Sequence, residues 1–326
     1  MTELSLVQAV NAALKHAMNE DVRVLVLGED VGTDGGVFRA TEGLLKLFGE
    51  QRVLDTPLAE ASIAGASIGL AVQGFRPVAE IQFTGFAYVC IDQVLNHASR
   101  LRARTRGRLT CPMVLRSPAG GGIKAVEHHS ESPEAMFAHI PGIKVVMPSS
   151  PTRAYGLLLS AIRDPDPVVF LEPTRLYRAA REDVLDNGAG LPLGRCLTLR
   201  AGRDLTIVAW GAMIKEALEA AGHLAAEDVE AEVIDVATLK PLDSATILAS
   251  VERTGRLVIV HEAPMTCGYG AEIAARVAGR AMTSLLAPIE RVTGYDTMMP
   301  YARMEAHYMP NVGAIVAAAR SAMAFT

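Results

Sequence analysis

Residues 55–83 read DTPLAEASIAGASIGLAVQGFRPVAEIQF. From Glu60 to Gln73 the stretch consists largely of Ala, Gly, Ser and Ile with no charge after Glu60, the composition of a helix packed closely on its sides. Past the break at Gly74, the short run Val78–Phe83 predicts a strand. The alternation recurs on both sides. Upstream, Leu4–Met18 places apolar residues at helical spacing, and Val22–Leu27 is a β-branched run ending in the turn-rich Gly28-Glu29-Asp30-Val31-Gly32. Downstream, strands are expected at Met113–Arg116, Lys144–Met147 and Val168–Leu171, with helices near 91–104, 132–138 and 152–163. A second series follows, with strands Leu205–Trp210, Glu232–Val236, Leu257–His261 and Ile289–Val292 and helices near 213–226, 243–253 and 270–284. This is an α/β chain of two domains, each a mostly parallel sheet flanked by helices. The expected units are residues 1–180 and 197–326. Between them 181–196 is the linker, because Arg181–Gly194 has one proline, three glycines, several acids and no apolar period.

The 326 residues are 50% hydrophobic and only 21% charged, enough to bury two cores. A formal net charge of -5 argues against a polyanion-binding surface, so no nucleic-acid partner is expected. Arg100, Arg102, Arg104, Arg106 and Arg108 form a local run that reads either as a polar loop leaving a helix or as a site for a partner's acidic surface. Cys90, Cys111, Cys196 and Cys267 are far apart without CxxC spacing, which suggests neither a zinc site nor a disulfide framework. The start, MTELSLVQAVNAAL, lacks a cationic segment followed by an apolar one, and no apolar run reaches the roughly 18 residues of a membrane span. No membrane partner and a cytoplasmic location are therefore expected. A mean hydropathy of +0.24 suits a large apolar interface in an obligate oligomer.

Neither HExxH nor GxxxxGK[ST] occurs, and the one GxSxG match, Gly65–Gly69, lies inside the small-residue helix rather than at a strand-to-helix elbow. Gly32-Thr33-Asp34-Gly35-Gly36 and Gly120-Gly121-Gly122 lack GxGxxG spacing, and the first reads as a flexible loop. Glu60 is more informative. It falls in the first turn of its helix, where a carboxylate is favoured by the dipole, so a structural role is open. The apolar body behind it opens a second role, since a carboxyl group in such surroundings gains proton affinity and can exchange protons near neutral pH. His128 and His129 follow a glycine-rich turn, and adjacent side chains point apart, so at most one is expected in a given cleft. Ser130, Ser132 and Pro133 read as a helix start that fixes the ring. A metal reading would recruit Glu127, Glu131 and Glu134.

VFRATEGL (37–44), DTPLAEASIAG (55–65), GFRPVAEIQF (74–83), HSESPEA (129–135), VVFLEP (168–173), EVIDVATLKPLD (232–243) and TGRLVIVHEA (254–263) occur in order along essentially the whole chain. Together they resemble the beta subunit of the thiamine-diphosphate-dependent, decarboxylating first component of 2-oxo acid dehydrogenase complexes, of the pyruvate or branched-chain type. The resemblance implies a transketolase-like pyrimidine-binding domain and a transketolase C-terminal-like domain. It implies an α2β2 heterotetramer with thiamine diphosphate shared between subunits, and magnesium held by the alpha subunit, whose GDG motif is missing here. The reaction implied is oxidative decarboxylation of a 2-oxo acid with reductive acylation of a lipoyl group on an acyltransferase core.

Glu60 looks like the acid that hydrogen-bonds the aminopyrimidine ring and so promotes removal of the thiazolium proton. Phe86, Leu58 and Gln82 look like cofactor-ring neighbours, and His129, rather than His128, matches the histidine that assists acyl transfer. A potassium site is implied at Met113, Ala161, Ile162, Asp164 and Asp166, with Asp166 where many relatives carry Asn. Thr84-Gly85-Phe86 leans toward pyruvate, whereas Ser132–Ala135 and the HEAP of 261–264 lean toward branched-chain acids; pyruvate is the expected substrate. A non-catalytic assembly subunit is the competing class. A self-sufficient transketolase-like enzyme is not expected, because two domains already occupy the length.

Overall fold

A computed structural model describes residues 2–179 and 181–325. The chain opens with strand β1 (Thr2–Ser5), helix α1 (Leu6–Glu20), β2 (Val24–Gly28), α2 (Leu44–Phe48), β3 (Val53–Asp55), α3 (Glu60–Val72) and β4 (Arg76–Glu80). Short helices α4 (Thr84–Ala87), α5 (Ile91–Asn96) and α6 (Leu101–Arg104) lead to β5 (Val114–Ala119), α7 (Glu134–His139), β6 (Lys144–Val146), α8 (Pro151–Arg163) and β7 (Val168–Pro173). Next come β8 (Arg181–Val184), β9 (Leu197–Arg200), β10 (Leu205–Ala209), α9 (Met213–Ala225), β11 (Ala231–Asp235), β12 (Thr238–Lys240) and α10 (Ser244–Thr254). The chain closes with β13 (Leu257–Pro264), α11 (Tyr269–Ala281), β14 (Glu290–Gly294), α12 (Glu305–Tyr308) and α13 (Val312–Ala324).

Both expected sheets are present. The first runs β12-β6-β7-β5-β4-β2-β3 and is parallel except for β12; the second runs β14-β13-β10-β11-β9 and is parallel except for β9. Strands such as β2, β5, β7 and β10 are buried at every position, the signature of parallel strands covered on both faces. The helices start where local chemistry allows. Gln8 reaches back to the Ser5 amide ahead of α1, and Ser150 accepts from Arg153 with Pro151 as the first residue of α8.

The structure departs from the sequence expectations at the joints. Residues 181–184, expected in the linker, pair antiparallel with β1, and Leu191 and Leu193 pack on the first core. Residues 232–240 divide between sheets: β11 stays in the second, Ala237 takes a positive φ of 51°, and β12 joins the edge of the first. Chain from the second unit thus completes the first sheet. One apolar cluster accordingly spans both, from Leu25 and Ile81 through Phe137 and Met147 to Trp210 and Ile259. The expected strand Val78–Phe83 ends at Glu80, and the helix expected over 91–104 is broken into short turns.

The loops that matter leave the carboxyl ends of neighbouring parallel strands, where ligand sites form in open α/β sheets. Glu29 follows β2, Glu60 lies just beyond β3, Gln82 and Phe86 follow β4, and Gly120–His129 follows β5. No described helix is long and apolar enough to cross a membrane.

Candidate functional site

Glu60 is the first residue of α3 and is 9% exposed. Its backbone carbonyl accepts the Cys90 thiol at 3.3 Å, which seats α3 on the segment carrying Phe86. Across from it lies Glu29, a residue that sequence reading passed over as part of a turn. Glu29 is 5% exposed, and its Oε1 is buried without a partner. Burial, followed by the charges of Glu60 and Asp30, pushes its carboxyl above the usual carboxylate range. A buried acid raised in this way holds its proton more readily than a surface carboxyl group.

Gln82 donates to Asp30 at 3.2 Å and so ties the loop after β4 to the loop after β2. Leu58, two residues ahead of Glu60, is 79% exposed, an apolar surface with nothing over it in this chain. Phe86 is half-buried and packs edge-on against Phe83 with ring centroids 6.2 Å apart. The Gly32–Gly36 segment, expected as a flexible loop, is tied down by hydrogen bonds. Asp55 accepts the amide and hydroxyl of Thr33 at 3.0 and 2.7 Å, and the Gly36 amide reaches the Asp30 carbonyl at 2.8 Å.

His129 is half-buried, with its ring 4.1 Å from that of Phe83 and 5.5 Å from that of Phe86 and a buried Nδ1 without a partner. His128 is exposed and also packs on Phe86, at 5.0 Å, so both rings flank one aromatic rather than diverging to separate clefts. The expected serine cap is absent: Ser130 donates to the Val126 carbonyl at 3.3 Å, closing its own turn, and Pro133 precedes α7. Glu131 accepts from Tyr88 and Glu134 from Trp210, and among the described residues no cluster of His, Cys, Asp or Glu is arranged to hold a metal.

Beneath the site, Arg116 of β5 is 1% exposed and lies between two buried glutamates. It bonds Glu172 of β7 in bidentate fashion, 2.7 Å at each contact, and Glu80 of β4 through Nη1. The Tyr177 hydroxyl donates to Glu172 at 2.6 Å. The triad locks the ends of three strands from which the site loops depart.

Behind the His129 turn, Glu134 and Glu262 meet at the seam between the units. Both are held up to about 7, chiefly by burial. Glu134 accepts from Trp210 Nε1 at 3.2 Å and Glu262 from the Gly121 amide at 3.1 Å. His261 stacks on Trp210 with centroids 5.1 Å apart, and burial lowers it to about 4, so it is neutral. No short-range pattern marks this cluster, whose members come from three distant segments.

At the implied potassium position, Arg76 Nη1 donates to the carbonyls of Ile162 and Asp164 at 2.9 and 3.2 Å, and the Met113 carbonyl accepts from Val168 at 3.0 Å. The Ala161 carbonyl accepts the Asp164 amide at 3.3 Å. Lys144 approaches Asp164 at 2.7 Å and Asp166 at 3.7 Å, and Arg102 pairs with Asp166 at 2.7 Å. Thus Arg102, from the arginine run, has a partner within the chain. A cleft of about 610 Å³ lies apart from these groups, between α7 and the start of α11.

Residues 2–180 match the family model described as the transketolase pyrimidine binding domain, and 194–315 the one described as the transketolase C-terminal domain. The chain is 48% identical to the pyruvate dehydrogenase E1 component subunit beta of Bacillus subtilis (strain 168) over 325 residues, covering 100% of both proteins. It is 47% identical to the subunit of the same name from Acholeplasma laidlawii, covering 97% of each. Among solved structures, one described as a split gene transketolase, inactive beta4 tetramer, superposes with a TM-score of 0.79 over 99% of both chains at 24% identity, a likeness of fold.

Proposed function

Since the chain belongs to the transketolase-like family of pyruvate dehydrogenase E1 beta subunits, we propose that it supplies the proton-handling half of a thiamine diphosphate site completed by an alpha subunit. It is a component of a 2-oxo acid dehydrogenase. The observation that carries the proposal is the placement of Glu60: an almost buried carboxyl at a helix start, facing a second buried acid, beside exposed Leu58. These residues fit the pyrimidine end of the cofactor. Its diphosphate and magnesium would be held by the alpha subunit, in keeping with the absence of a GDG motif here.

When bound, thiamine diphosphate supplies the carbon nucleophile and electron sink for decarboxylation. Glu60 holds a proton against the aminopyrimidine ring nitrogen, and Glu29 adds a second acid beside it. Phe86 and Leu58 provide apolar contact, and Gln82 orients the ring edge. His129, backed by Phe83 and Phe86, assists transfer of the acyl group to a lipoyl group carried by an acyltransferase core. Pyruvate is the substrate proposed over branched-chain acids, following the names of the relatives. The partner is the alpha subunit, proposed in an α2β2 arrangement. Residues 1–180 and 197–326 are proposed as the functional units, with 181–196 between them.

An accessory potassium ion is part of the proposal, held by carbonyls of Met113, Ala161, Ile162 and Asp164 and by the side chain or carbonyl of Asp166, and its binding would require Arg76 to give up the Ile162 and Asp164 carbonyls. Equal melting temperatures in potassium and sodium chloride would remove it. For Glu60, the test is Glu60→Gln with the alpha subunit present. The substitution preserves shape and removes the ionisable proton, so assembly should persist while decarboxylation falls by about 100-fold or more. Full activity in the variant would leave Glu60 only a helix-start role.

A further inference from the structure

The His129 turn is fastened to the segment that carries Phe86 by more than ring packing. The turn itself is closed by the His129 amide to the Val126 carbonyl and the Ser130 amide to the Glu127 carbonyl, both at 3.0 Å. Immediately after it, the Glu131 backbone carbonyl accepts from the Gly120 amide at 2.8 Å and from the Thr84 hydroxyl at 3.0 Å. The Glu131 carboxylate then accepts the Tyr88 hydroxyl at 2.8 Å. Gly85, between Thr84 and Phe86, has its backbone against the His128 carbonyl, where a Cβ would collide. Thr84, Gly85 and Tyr88 thus grip the turn from one side while Phe83 and Phe86 flank the His129 ring.

We propose that the Tyr88–Glu131 hydrogen bond is a positioning contact for His129, fixing its turn on the segment that carries Phe86 so that histidine and ring-packing aromatic move as one unit. A hydrogen bond to a carboxylate is roughly twice as strong as one between neutral groups, and Tyr88 is half-buried, so water competes little for it. Burial and the adjacent Glu131 carboxylate keep the Tyr88 phenol protonated, so it stays a donor across the working pH range. With both its carbonyl and its carboxylate engaged, Glu131 has a tethering role and His129 keeps the chemistry. The inference rests on the reading that His129 assists acyl transfer.

The test uses the assembled alpha–beta enzyme with Tyr88→Phe, Glu131→Gln and Glu131→Ala, and reads amide hydrogen exchange over 126–131 beside two partial reactions. One is decarboxylation of pyruvate with ferricyanide as electron acceptor; the other is reductive acylation of an isolated lipoyl domain. Tyr88→Phe should speed exchange at residues 128–130 and slow acylation by about 10-fold, the factor given by about 1.4 kcal/mol. Ferricyanide-linked decarboxylation and the pyruvate KM should stay within about twofold. Glu131→Ala should behave alike, and Glu131→Gln, whose amide oxygen still accepts from Tyr88, should recover most of the acylation rate. Unchanged exchange and acylation in Tyr88→Phe overturn the proposal, as does an equal loss of both partial reactions with a lowered melting temperature. If the unmodified enzyme acylates no lipoyl domain, the acyl-transfer reading of His129 fails, and the exchange data alone decide the positioning contact.

Discussion

Replacing Arg116 by Met removes the cation that two buried acids share. Arg116, Glu80 and Glu172 are 1%, 3% and 0% exposed, so water cannot take over the role. The arginine makes two 2.7 Å contacts with Glu172 and a third with Glu80, leaving a site that carries one positive and two negative charges. Deleting the positive member of such a group costs about 3–5 kcal/mol, because the remaining charges stay buried without a partner. For a unit of this size each kcal/mol corresponds to roughly 2–4 °C, so the melting temperature at pH 8 should fall by about 6–20 °C. The loss should shrink at pH 5. Without Arg116 the Glu80 carboxyl keeps its raised pKa in the folded state with no cation to offset it, so stability is retained at low pH and is lost as pH rises through that value. Burial already raises Glu80 in the intact triad. Calorimetry of Arg116→Met at pH 5 and pH 8, beside Arg116→Met with Glu80→Gln and Glu172→Gln, isolates the charge effect. The triple variant should regain most of the loss. A cost under about 1 kcal/mol at pH 8, or the same cost at both pH values, would refute the reasoning.

The seam acids give a second pH signature. Glu134 sits at about 7 in the folded protein, so folding favours its protonated form: the stability is full below the unfolded carboxylate value of about 4.3 and is lost as pH rises through about 7. Glu134→Gln, which keeps the oxygen facing Trp210, should flatten the decline in unfolding free energy between pH 5 and 8, by up to about 3 kcal/mol; an unaltered decline would contradict it. At Gly85, alanine would press a methyl group into the His128 carbonyl, and the cost should be about 1–3 kcal/mol with weakened acyl transfer. A fully active, fully stable Gly85→Ala enzyme would show that the turn and α4 can separate freely.

Much of the fold was legible because its signals are local. The helix from Glu60 and the strands near 78, 114, 168, 205 and 257 are carried by composition over consecutive residues, and each lies within a few positions of its expected place. Glu60 and His129 stand out through the motifs around them, and the roles proposed for them rest on the resemblance. What escaped depends on pairing across the chain. The β1–β8 ribbon joins two four-residue segments about 180 positions apart, neither with a pattern of its own. The crossing of β12 into the first sheet turns on a positive φ at Ala237, a residue type that gives no warning of one. Glu29, Glu134 and Glu262 look like ordinary surface acids until Glu60, Trp210 and Gly121 close over them.

The most direct test of the half-site account is thiamine-diphosphate-dependent decarboxylation by the purified chain, alone and together with its alpha subunit, with pyruvate beside 3-methyl-2-oxobutanoate. The account predicts no turnover by the chain alone and restored turnover on adding the alpha subunit, with pyruvate preferred. Turnover by the chain alone, or none of either acid by the assembled pair, would contradict it.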